Sequence, residues 1–84
     1  MTDIPMPKDR RKQVVLDFLA RTDLALPPRA VYTNLYREGT PFGEKSVRRY
    51  LSELEDEGLV RRLDDPSTYY VITEAGRKTV QSAE

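Results

Sequence analysis

The side chains best placed to do chemistry in this chain are cations on one short segment, Lys45, Arg48 and Arg49, close enough in sequence to share a helix face. Such groups grip polyanions. Lysine holds a phosphate as a point charge, and arginine can take a guanine edge through two parallel hydrogen bonds. Catalysis has far less to draw on. The 84 residues include no histidine and no cysteine, which removes the usual general base, the commonest metal ligand, disulfides and thiolate reactions. Carboxylates are plentiful but form no recognisable acid–base or metal-ligand set, and no glycine-rich phosphate loop occurs. We therefore expect a protein that is not an enzyme, with no catalytic residue, metal, cofactor or small-molecule ligand.

Net charge is zero, but the charges are unevenly spread. Residues 1–50 hold 10 Lys/Arg against 6 Asp/Glu, and residues 51–84 hold 4 against 8. A polarised chain of this kind hints at a nucleic-acid partner. No apolar run approaches a membrane span and no signal-like block follows the N-terminus, so the expected compartment is the cytoplasm. The length suits one domain, over residues 8–84, behind a loose lead-in of residues 1–7.

The elements that must hold the cations can be read from apolar spacing and punctuation. A first helix runs from Lys8 to about Arg21, with Val14, Val15, Phe18 and Leu19 toward the core and Asp9 as its N-cap. Its cluster of Lys8, Arg10, Arg11 and Lys12 either approaches nucleic acid or solubilises a helix end. After a short extended link, Thr22 to Leu26, Pro28 starts a second helix that Gly39 stops after Glu38. Val31 and Leu35 mark its buried side; Tyr32 and Tyr36 flank a groove, meet a partner subunit or cover the core. A third helix spans Glu44 to Glu57 between Gly43 and Gly58, with Val47, Leu51 and Leu54 on one stripe and Tyr50 at its edge. Phe42 and Val47 are placed for a hydrophobic staple, and Leu59 can meet Leu54 where the helix ends. Strand-like runs then cover Leu59–Leu63 and Tyr69–Thr73, joined by the turn residues Asp64 to Thr68. Thr73 can cap a last helix from Glu74 to about Ser82, in which Gly76 permits close packing.

Two helices joined by the four residues Thr40 to Gly43 make a helix-turn-helix, whose second helix, residues 44–57, can enter a DNA major groove. With Val47 at the centre of the buried side, Lys45, Arg49 and Ser52 fall opposite it at 100° per residue and Arg48 at the margin. The helix then runs from a basic first half to an acidic end, Glu53, Glu55, Asp56 and Glu57, against the preference of the helix dipole. A phosphate backbone at the basic end would select that order. The plainer reading is an i,i+4 surface pair of Arg49 with Glu53.

The run from Phe42 to Val60, centred on Val47-Arg48-Arg49-Tyr50-Leu51, resembles the recognition helix of winged helix-turn-helix transcriptional regulators, of the small archaeal, phage-repressor-like and MarR-like kind. Tyr69 to Arg77 resembles their second wing strand and following corner, and Leu26-Pro27-Pro28-Arg29 the start of their second helix, so the likeness extends from about Lys12 to Val80. It implies an α+β, mostly α fold: a three-helix core, a two-stranded β-hairpin wing and a short C-terminal helix. It implies that Lys45, Ser46, Arg48, Arg49 and Ser52 touch DNA from the recognition helix, Arg61 and Arg62 from the first wing strand, and Arg29 from the start of the second helix. Asp64 and Asp65 at the wing tip depart from the pattern and would repel phosphate. The expected function is sequence-specific binding of double-stranded DNA as a transcriptional regulator, a repressor, acting as a homodimer through the first and last helices. A protein-interaction module and an RNA-binding module are the alternatives, because winged helices serve those ends too.

Overall fold

The computed structural model describes residues 8–40, 42–65 and 67–82, apart from the side chains of Lys8 and Asp9. The elements follow the order α1 (Lys8–Thr22), α2 (Pro28–Arg37), α3 (Glu44–Asp56), β1 (Val60–Arg62), β2 (Tyr70–Ile72) and α4 (Glu74–Ser82). Helix α1 already begins at Lys8, so Asp9 stands inside its first turn rather than before it. The expected lead-in, residues 1–7, and the side chain of Asp9 lie outside the described residues.

Each helix is made by an apolar stripe and ended by its punctuation. In α1 the buried side chains are Val15, Leu16, Phe18 and Leu19. Leu16 joins the core and Val14, expected there, is only half-buried, because α1 is covered from two directions, by α2 and α3 and by α4 and β2. Helix α2 starts with Pro28 in its first turn and buries Pro28, Val31 and Leu35. It closes through Gly39 at φ 89°, whose N–H donates to Tyr36 O at 3.0 Å while Thr40 N–H donates to Leu35 O at 3.0 Å. Gly58, at φ 77°, closes α3 in the same way, with Leu59 N–H returning to Leu54 O at 2.9 Å. Gly43 is the N-cap of α3, which buries Val47, Tyr50, Leu51 and Leu54. Phe42, expected to staple onto Val47, is buried in the same cluster but turns its ring edge-on to Tyr50, with centroids 5.8 Å apart. That geometry suits the aromatic quadrupoles.

The wing is antiparallel, with Val60 opposite Ile72, Arg61 opposite Val71 and Arg62 opposite Tyr70. Both strands are two residues shorter than their patterns suggested. The ribbon also has a third partner: Leu26, in the link after α1, exchanges backbone hydrogen bonds with Tyr70 at 2.9 and 2.8 Å. The base of the wing is thereby tied to the connection between α1 and α2.

Helix α4 is fastened by Thr73. Its Oγ1 accepts the Gly76 N–H at 3.1 Å and donates to Gly58 O at 2.8 Å, so one hydroxyl caps α4 and holds the end of α3. Gly76 lies directly over Leu59 O, a contact that only a missing side chain allows. Arg77 pairs with Asp23, which takes the left-handed conformation at φ 54° behind α1. Helices α1 and α4, expected to offer a dimer surface, pack on each other within the protomer. Among the described residues, no helix is long and apolar enough to cross a membrane. The architecture of the described residues, four helices with a two-stranded ribbon, is α+β and mostly helical, as expected.

Candidate nucleic-acid interface

Burying Val47, Tyr50, Leu51 and Leu54 fixes the roll of α3 and so decides what its outer side presents. Lys45, Arg49 and Ser52 form the exposed strip, Arg48 flanks it on one side, and Ser46 is half-buried on the other. Lys45 and Arg49 form no ion pair among the described residues. Arg49 instead places its guanidinium over the ring of Tyr50, 5.8 Å from the centroid. Arg48 keeps 58% of its side chain exposed and donates to Glu44 one turn earlier at 2.8 Å.

The acidic second half of α3 is turned to use inside the domain. Lys12 of α1 donates to Glu57 and stands 3.5 Å from Glu53, and Arg62 of β1 meets Glu55 at 3.1 Å. The charge order that opposes the helix dipole therefore has a structural cause, since these carboxylates tie α1 and the wing to α3. The surface pair expected between Arg49 and Glu53 gives way to this arrangement, with Glu53 taken up by Lys12.

The basic cluster of α1 is divided by the fold. Lys12 is structural, and Arg10 is exposed. Arg11 donates to the Tyr50 hydroxyl at 3.3 Å. Burial pushes the Tyr50 hydroxyl up, but the hydrogen bond from Arg11 and the charges of Arg11 and Arg49 outweigh it and hold the group below its ordinary 10. Arg11 thus stands beside α3, a position that its place in α1 did not reveal.

Lys12 supplies a test of the α1–α3 tie. The hydrogen bond to Glu57 raises its pKa above 10.5, against a smaller opposing effect of burial. A cation raised in the folded state stabilises fully below the unfolded value and loses that contribution as pH climbs through the folded one. Lys12→Met should cost about 0.5–1 kcal/mol at neutral pH, the range for a partly screened pair. The thermal midpoint of the native protein should fall more steeply than that of Lys12→Met once pH rises above 10.5, and the two should run parallel below it. Parallel curves would show that the pair contributes nothing.

The remaining cations fall into two places. Arg62 leans toward α3, and with Arg48, Pro28, Ser67, Thr68 and Tyr70 it lines a shallow groove of about 190 Å³ between α2, α3 and the wing. Two guanidinium groups and three hydroxyls around one small space are donors that suit a phosphate. Ser67 and Thr68 carried no signal beyond turn chemistry. Arg61 is exposed but points to the other face of the ribbon, by the alternation of strand side chains, and stands apart from the groove. Arg29 is exposed and follows Pro28 in sequence, but it is not among the residues that line the groove. At the wing tip Asp64 and Asp65 are both exposed.

A family model, the ribonuclease R winged-helix domain, matches residues 13–80. No curated relative and no solved structure matches the chain. The match agrees with the likeness seen in the sequence at the level of the winged helix, and it does not single out transcriptional regulators. With most of its length covered by that match, and with the helices, ribbon and capping that the fold requires, the chain belongs to the ribonuclease R winged-helix domain family.

Proposed function

We propose that this domain binds nucleic acid without catalysis, and that its target is double-stranded DNA read in sequence by α3. One observation carries the reading: the first half of α3 presents Lys45, Arg48 and Arg49 outward, while its acidic half is drawn into pairs with Lys12 and Arg62. A helix 10–12 Å across fits the B-form major groove, whereas the corresponding groove of A-form RNA is too deep and narrow for side chains to read. In this arrangement Arg49 and Lys45 reach base edges and phosphates, and Ser46 and Ser52 flank them. Arg48 and Arg62 close on one backbone phosphate with Ser67 and Thr68, and Arg29 meets the same strand. Arg61 reaches backbone outside the groove. The wing tip stays out of the minor groove, because Asp64 and Asp65 would meet phosphate there.

The likeness to winged helix-turn-helix regulators supports transcriptional control, as a repressor, for the use of such binding. A homodimer on a pseudo-palindrome would supply the site length that one recognition helix lacks. Because α1 and α4 cover each other, such a dimer uses their outer faces. RNA is the second reading, favoured by the family's being named for a ribonuclease.

Fluorescence anisotropy with labelled duplex DNA across a salt series tests the proposal. Affinity should fall with salt with a log–log slope of about −3, corresponding to roughly three neutralised phosphates at 0.9 each. Absence of duplex DNA binding at about 50 mM salt would overturn it, and preference for duplex RNA of the same sequence would favour the second reading.

A further inference from the structure

Helix α2 contains no acidic residue. Its inward side, Pro28, Val31 and Leu35, is buried. On the opposite side Arg29, Thr33, Tyr36 and Arg37 are exposed and Tyr32 is half-buried. At 100° per residue these five share an arc of about 140°, in a strip about 12 Å long. Tyr36 is 67% exposed, far more than a ring needed by the core, and stands 6.0 Å from Tyr32 at a tilt of 46°. Arg29 and Arg37 form no ion pair among the described residues. The carboxylate at the end of the helix, Glu38, is held by both terminal nitrogens of Arg21 at 3.0 Å, so it does not neutralise Arg37.

We propose that this strip binds an unpaired nucleic-acid strand, with a base stacked on Tyr36 and phosphates on Arg29 and Arg37, as a contact distinct from the outer face of α3. Paired bases offer only their edges, in the grooves, so a projecting tyrosine on a strip with two arginines suits a strand whose base faces are open. The charge of the strip excludes a basic partner and attracts a polyanion. Arg29 follows Pro28, which lines the groove with Arg48 and Arg62, so the strip begins one residue from that groove.

An oligothymidine of about 15 nucleotides, a length that spans several contacts, is the probe. Its binding is followed by anisotropy and by quenching of tyrosine fluorescence, in a chain that has no tryptophan. Tyr36→Ala should weaken binding about tenfold or more, Tyr36→Phe should stay within about a factor of two, and Arg37→Ala should flatten the salt slope by about 0.7. A thermal melt checks that Tyr36→Ala, a change at an exposed site, keeps the fold. Lys45→Ala/Arg49→Ala should weaken duplex binding by about 100-fold or more but leave the oligothymidine affinity within about a factor of two, since neither side chain belongs to the strip. The strip and the recognition helix can thus fail separately. Lack of oligothymidine binding, or equal binding by Tyr36→Ala, would overturn the proposal. So would capture of polyglutamate through Tyr36 in place of the oligonucleotide, which would make the partner an acidic protein segment.

Discussion

Gly76→Ala should lower the thermal midpoint by about 12 °C or more. A Cβ at this position would stand 2.2 Å from Leu59 O and 2.7 Å from Ile72 Cγ1, and the first of these is backbone. Leu59 O cannot retreat without cost, because it accepts the Thr73 N–H at 3.0 Å, one of the bonds that seat α4 on the ribbon. Overpacking of this kind costs about 3 kcal/mol, and in a domain of this size each 1 kcal/mol shifts the midpoint by about 4–8 °C. The sign makes the test decisive. At an uncrowded helical site, alanine in place of glycine stabilises by about 1 kcal/mol, so a rise in midpoint by calorimetry would show that α4 does not sit on Leu59 as described.

Lys45→Ala/Arg49→Ala should reduce affinity for duplex DNA by about 100-fold or more while leaving the fold intact. A well-placed arginine on a base edge discriminates by about 1–3 kcal/mol, and each 1.4 kcal/mol is a factor of ten. Loss of the Arg49 contact with Tyr50 costs stability of only about 0.5–1 kcal/mol, the range for an exposed cation over a ring. Arg48→Ala should have a smaller effect on binding than Arg49→Ala. Arg48 must give up or share Glu44 to meet a phosphate, whereas Arg49 forms no ion pair among the described residues. Unchanged affinity in the double variant, measured beside an unchanged melt, would remove α3 from the interface.

The helices were legible because each combines a stripe of period 3.6 with punctuation whose backbone demands are specific. Pro28 opens α2, while Gly39 and Gly58 supply the positive φ angles at which α2 and α3 close. The outward cations of α3 followed from the same periodicity, since burying Val47 and Leu51 leaves Lys45 and Arg49 no other direction. Pairings between elements distant in sequence were not legible. Nothing local marks Glu57 as the partner of Lys12, Glu55 as the partner of Arg62, or Arg11 as the donor to Tyr50. The bridge from Leu26 to Tyr70 was hidden for another reason: one residue pair has no period to detect. These unseen contacts decided the role of the acidic end of α3, whose charge order the sequence alone had referred to a phosphate backbone or to an Arg49–Glu53 pair.

With Leu26 on one side of β2 and β1 on the other, β1 is the outer margin of the ribbon. An unpaired margin is a template on which strands from other molecules can grow, and the usual protections are brevity and charge. Here the margin is three residues long and two of them are arginines, directed to opposite faces. The two arginines proposed to meet backbone phosphate therefore also discourage fibrillar association, and neutralising both would expose the protein to it.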